Sequence, residues 1–138
     1  MSEITRLSLS IERSLYARLE KLVAASAYGN RSEFVRDLIR HCLIEEEWKS
    51  DEELLGTISL VYDHHARGLA ARLTHAQHHF AGNVLATTHV HLDDQFCAEM
   101  IMVRGTGKEI TALTDRLHRE KGVLYAKLAT GTMGHALR

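Results

Sequence analysis

Between Thr5 and Ile11 the chain alternates strictly, with Leu7, Leu9 and Ile11 on one side and Arg6, Ser8 and Ser10 on the other, which is the period-two pattern of a short half-buried strand. The period then changes. Leu15, Leu19, Leu22 and Val23 recur at helical spacing up to Gly29, and Phe34, Val35, Leu38, Ile39, Cys42 and Leu43 do so again after Asn30 and Glu33, an N-cap pair. Cys42 is thereby expected in the core. The acidic run from Glu45 to Glu53, with Trp48 inside it, reads as helix end and linker. Beyond it LLGTISLVYD, NVLATTHVHL, CAEMIMVR and GVLYAKLAT read as strands. HHARGLAARLTHAQHH and KEITALTDRLHRE read as helices that turn Leu69, Ala70, Leu73 and Ala76, and Ile110, Leu113 and Leu117, inward.

The first strand has no mate within the next forty residues, and a strand with both edges bare is not stable alone. Its partner is expected to be its own copy in a second subunit. Strand, helix, helix with an intermolecular strand pair is the ribbon-helix-helix arrangement of DNA-binding dimers. Its two-stranded ribbon enters the major groove, so Arg6, Ser8 and Ser10 are placed to read base edges, with Arg6 suited to guanine. Backbone N–H groups around Asn30, Arg31 and Ser32, at the start of the second helix, are placed to hold a phosphate. The remaining elements run βαββαβ, the ferredoxin-like order in which two helices cover one face of a four-stranded antiparallel sheet. The expected class is α+β, with a ribbon-helix-helix domain over residues 1–48 and a ferredoxin-like domain over 49–138.

Charge narrows the partners. With 17 basic and 18 acidic residues the net charge is -1, so no global field draws the chain to nucleic acid and any DNA contact must be local. Residues 1 to 41 hold seven basic and five acidic side chains. No apolar run reaches the length of a membrane span, and no basic segment followed by an apolar stretch opens the chain, so a cytoplasmic location is expected. Two cysteines, Cys42 and Cys97, make a poor disulfide framework and fit a reducing compartment.

The chemistry lies between His64 and Cys97. Seven of the 10 histidines (His64, His65, His75, His78, His79, His89 and His91) fall between positions 64 and 91. His89 and His91, two apart on a strand, project from one face, and Cys97 follows after a polar connection that can return a thiolate to the same point. Imidazole with thiolate suits nickel, copper, zinc or cobalt, and disfavours calcium and magnesium. In that strand Val84, Ala86, Thr88 and Val90 are assigned to the helix-covered core. This leaves Leu85, Thr87, His89 and His91 on the uncovered face, with Cys97, Glu99, Ile101 and Val103 of the next strand. A face so apolar should be covered by another subunit. His78, ending a helix on the opposite side of the sheet, should then reach the metal only from a neighbouring subunit. Four protein ligands leave no open position for a substrate, so an enzyme is not expected. A further alternative is a regulator that senses a small organic ligand, with a structural metal.

The ribbon-helix-helix segment with NRSEFVRD, followed by VYDHH, AQHH, ATTHVH and Cys97 six residues after His91, resembles the NikR-type nickel-responsive transcriptional repressors over nearly the whole chain. The resemblance implies a homotetramer with a central core of ferredoxin-like (ACT-type) domains, flanked by two dimers that bind double-stranded operator DNA. It implies a planar Ni²⁺ site from His89, His91 and Cys97 of one subunit and His78 of another, with Tyr62, Gln77 and Glu99 around it. Glu33 with Asp37 resembles a cation site between the domains. The chain departs from the family pattern at Ser8 and Ser10, where threonines would be as natural. It departs also at His64-His65-Ala66-Arg67, which has few fixed positive charges for phosphate contact. His64, His65 and His79 stay open between auxiliary ligands and solvated residues, and His75 reads as solvated.

Overall fold

The computed structural model describes residues 3–137 and contains α1 (Arg13–Ala25), α2 (Arg31–Lys49), β1 (Glu53–Asp63), α3 (Leu69–His78), β2 (Asn83–His91), β3 (Phe96–Thr106), α4 (Gly107–Arg119) and β4 (Val123–Thr130). The chain divides near Leu43 into two compact units, the second running from Ile44 to His135.

In the N-terminal unit the two helices form where the apolar periodicity placed them, and Asn30 caps α2 by accepting the Glu33 N–H at 2.9 Å. The segment from Glu3 to Ile11 forms no strand. Its apolar side is bare, with Ile4 85 % and Leu7 75 % exposed. A single chain supplies no neighbouring strand, and the ladder that would define one needs two. Neither helix contains a buried residue. Cys42, expected in the core, is exposed, because one copy of this unit is too small to cover its own apolar faces.

The acidic stretch is helix rather than linker as far as Lys49. The last turn of α2 belongs to the second unit, where the Trp48 indole N–H donates to the Gly131 carbonyl at 2.8 Å and the Thr132 hydroxyl donates to Glu47 at 2.8 Å.

The second unit is a four-stranded antiparallel sheet in the order β2-β3-β1-β4. β1 alternates buried and partly buried positions along its length. Leu54, Ile58, Leu60 and Tyr62 form one core with Cys97, Ile101 and Val103 of β3, Leu69, Leu73 and Ala76 of α3, and Ile110, Leu113 and Leu117 of α4. Ala70, expected to face inward with its neighbours on α3, is exposed. A capping box of Thr106 and Glu109 starts α4 directly at the end of β3, satisfying two helix-terminal donors that burial would otherwise leave unpaired.

The register corrects the face assignment. Directly opposite residues of an antiparallel pair share a face, and Thr87, His89 and His91 stand opposite Ile101, Glu99 and Cys97. Those β3 residues are buried beneath the helices. His89 and His91 therefore lie on the helix side of the sheet. The open face instead carries Ala86, Thr88 and Val90 with Met102, Met100 and Ala98. β2 is an edge strand exposed at every position, so its own alternation does not reveal which side is covered. The reasoning that put α3 behind the sheet from His89 is overturned with it.

Candidate metal centre

Three donor atoms converge where β2 and β3 pair. The ligand atoms of His89, His91 and Cys97 all lie within 4.8 Å of one another, and Cys97 Sγ is 3.2 Å from His91 Nδ1. The rings of His89 and His91 are 5.1 Å apart between centroids. The cluster follows from the strand geometry: alternate residues of β2 present the two imidazoles, and the His91 to Cys97 pairing puts the thiol beside them. The connection between the strands is held by Asp93, whose Oδ1 accepts the Gln95 and Phe96 backbone N–H groups at 2.8 and 2.7 Å. These two donors hold the Asp93 carboxyl below the usual aspartate value.

Burial differs sharply between the ligands. Cys97 is wholly buried while His89 and His91 are exposed. Desolvation first, then the Asp93 and Glu99 carboxylates, push the Cys97 thiol above its ordinary pKa, so it keeps its proton until a cation displaces it. Such a donor set fits a transition ion of the nickel, copper, zinc or cobalt group.

Around the cluster stand the residues that the family resemblance singled out. Tyr62 pairs with Cys97 in register, and its ring meets the His89 ring edge-on at 6.1 Å. Burial, Glu99 and Cys97 push its hydroxyl up to about 12, so it stays a neutral donor. Gln77, near the end of α3, donates through Nε2 to Glu99 at 3.3 Å and accepts from the Thr87 hydroxyl at 3.4 Å. This bridge ties α3 to the face that carries His89. Thr87 was not anticipated, although its place two residues before His89 was a usable signal.

The other sequence candidates are distributed as follows. His78 is exposed and outside the convergent cluster; it borders an outward groove with Thr74, His75 and His79. His64 and His65 each donate from Nε2 to the Asp94 carbonyl, at 2.7 and 2.8 Å. Together with the Gln95 to Asp63 bond of 3.2 Å, this laces the loop after β1 to the loop after β2. Arg6, Ser8 and Ser10 are exposed, as are Asn30, Arg31 and Ser32. Arg31 is also held against α1, donating to the Tyr16 hydroxyl at 2.7 Å and pairing with Glu20 at 3.5 Å. Glu33 pairs with Arg36 and Asp37 with His41 at 3.3 Å. The Arg72 to Glu120 pair, at 2.8 Å, joins α3 to the end of α4 and has no counterpart in the sequence pattern.

The features define a two-unit class, a helical N-terminal segment followed by a ferredoxin-like domain with a His and Cys cluster. Residues 55–130 match the family described as the NikR C terminal nickel binding domain, and residues 5–46 match the ribbon-helix-helix protein, copG family. A protein of Geobacter sulfurreducens that carries the name nickel-responsive regulator is 43 % identical over 138 residues, covering 99 % of each chain. One of Solibacter usitatus with the same name is 40 % identical over 139 residues, covering 100 % of each. The chain belongs to the NikR family, whose members are named as regulators and not as enzymes. Among solved structures, an uncharacterized protein of Thermotoga maritima aligns over 57 % of this chain and 98 % of its own, with a TM-score of 0.52 and 15 % identity. The ACT domain of a GTP pyrophosphokinase from Chlorobium tepidum aligns over 56 % of this chain and 100 % of its own, with a TM-score of 0.50 and 19 % identity. Both share the fold.

Proposed function

We propose that this chain is a cytoplasmic, nickel-dependent repressor of transcription. In this reading Ni²⁺ is held by His89, His91 and Cys97 with His78 of the partner subunit, and metal binding raises affinity for double-stranded operator DNA. The observation that carries it is the convergence of two imidazoles and a thiol within 4.8 Å, a borderline-to-soft donor set that selects nickel-like ions over magnesium or calcium. His89 and His91 are exposed on an edge strand, which leaves the centre open to a ligand from outside the chain.

Assembly as a homotetramer is supported by the apolar surface a single chain leaves bare. Leu7, Leu9, Leu15 and Leu22 are each at least half exposed, which suits two copies forming the ribbon. Met100 at 53 % and Val90 at 48 % exposed lie on the open sheet face, which suits contact between the metal-binding parts. Residues 1–48 then form the DNA-binding part, with Arg6, Ser8 and Ser10 toward bases and the start of α2 toward phosphate, and 49–138 the metal-binding part. Tyr62, Gln77 and Glu99 orient the centre, and Glu33 with Asp37 is a second cation site.

The test is operator affinity at fixed salt, with nickel and with a chelator, for the natural chain and for Arg6→Ala. Nickel should tighten binding by a coupling of roughly 1–3 kcal/mol. Arg6→Ala should relax base discrimination and leave nickel binding intact. Equal affinity of the natural chain in both conditions overturns the reading. Mixed oligomers of His78→Ala and His89→Ala chains should recover nickel binding that neither variant has alone, and none recovered in proven mixed oligomers rejects the shared site.

A further inference from the structure

The outer side of α3 carries imidazoles that the His89, His91 and Cys97 cluster leaves unused. His75 and His79 stand four residues apart, the spacing at which helical side chains become neighbours and at which paired histidines hold a single ion. Their rings lie 4.0 Å apart between centroids, with 32° between the planes. Both are exposed and border a groove of about 680 Å³ with Ala70, Ala71, Thr74 and His78.

One ring is already set for coordination. The His75 carbonyl takes the His79 backbone N–H at 3.1 Å and stands 3.0 Å from His79 Nδ1. A carbonyl can only accept, so Nδ1 of His79 carries the proton and Nε2 keeps its lone pair free. Metal-binding histidines are commonly fixed in this way, one ring nitrogen donating to a backbone carbonyl while the other faces the ion. Among the described residues no carboxylate lines the groove, so calcium and magnesium meet no charged oxygen from them, whereas an imidazole pair suits nickel, copper or zinc. Arg72, at the flank of the same helix, is neutralised by Glu120 at 2.8 Å.

We propose that His75 and His79 bind a second divalent transition-metal ion, separate from the His89, His91 and Cys97 centre, with water completing its coordination. His75 is then a ligand and not merely a solvated helix residue. Lacking a thiolate, this site is the weaker of the two and fills after the first. Its ligands include neither His78, which borders the same groove, nor any residue of the sheet.

The probe is Ni²⁺ alone, titrated into the full-length chain by calorimetry and by absorption. Two ions per chain are expected, a tighter one accompanied by thiolate-to-metal absorption and a weaker one without it. His75→Gln with His79→Gln should abolish the weaker ion and leave the absorption and the tighter ion unchanged. His79→Gln alone should weaken the second ion by at least about tenfold. Cys97→Ala should do the reverse, losing the absorption and keeping the weaker ion. Circular dichroism checks that each variant is folded, which exposed Gln replacements should not disturb. One ion per chain in the natural protein, or a second ion retained by the double variant, overturns the proposal.

Discussion

Truncation of Trp48 to Ala is the perturbation whose size the structure fixes best. The indole is partly buried against the core of the second unit. Its ring lies over Gly56, where an added Cβ would meet it at 3.3 Å, and its N–H donates to Gly131 at 2.8 Å. Gly107 is packed so closely on the Trp48 backbone that no side chain fits there. Full burial of a tryptophan makes its loss cost about 3–5 kcal/mol. Partial burial reduces that to roughly 2 kcal/mol, and the lost hydrogen bond adds about 1 kcal/mol. The sum, about 3 kcal/mol, corresponds to a melting point lowered by roughly 12–24 °C in a domain the size of the second unit. Trp48→Phe keeps most of the apolar contact and loses the N–H, so it should cost about 1 kcal/mol. Trp48 is the only tryptophan, so its fluorescence follows unfolding in the natural chain, and circular dichroism follows both variants. A Trp48→Ala melting point within about 2 °C of the natural one, or a Phe variant as unstable as the Ala one, refutes the reasoning.

Two further predictions concern pH. Because burial and the Asp93 and Glu99 carboxylates raise the Cys97 thiol, nickel must displace a proton to bind there. Affinity should fall as pH falls, by up to about tenfold per unit while the thiol is protonated, and a nickel titration over about two units around neutrality that shows no slope rejects thiolate ligation. Asp93 is depressed by the Phe96 and Gln95 N–H groups, so its contribution is present above the unfolded value of about 3.9 and is lost as pH falls through the lower folded value. Asp93→Asn should lower the melting point at neutral pH, with the difference vanishing in acid; a difference that persists unchanged in acid would show that the carboxylate charge is not its source.

Which elements form was legible because periodicity is local. β1 and β3 alternate as their sequence does, and Ile110, Leu113 and Leu117 face inward as spaced. The N-terminal alternation was legible but forms no strand in one chain, since no strand of the described residues pairs with it. Which face of β2 is covered was not legible. Val84 and Val90 look like core residues, yet the edge strand is exposed throughout, and its register slips between Val84 and Ala86. The side had to be read from β3, where Ile101 and Val103 alternate with the longer, exposed Met100 and Met102. Trp48 was hidden in an acidic run because charge patterning reports solvated faces and not the one residue that turns inward.

The corrected face changes what the metal centre can transmit. Had His89 and His91 stood on the open face, a bound ion would have touched α3 only through another subunit. On the helix side they share a face with Glu99, and Glu99 is bonded to Gln77 at 3.3 Å, one residue before His78. Glu99 stands opposite His89 in register, so a charge held at His89 would act beside a sheet residue already tied to the last turn of α3. The thiol sits deeper still, opposite Tyr62 on β1, whose hydroxyl burial keeps neutral. A charge placed at Cys97 would therefore lie beside β1, β3 and the Glu99 to Gln77 bond to α3. Glu99→Gln separates these roles: it preserves the shape and a hydrogen-bonding partner for Gln77 while removing a charge that, after burial, helps raise both Tyr62 and Cys97.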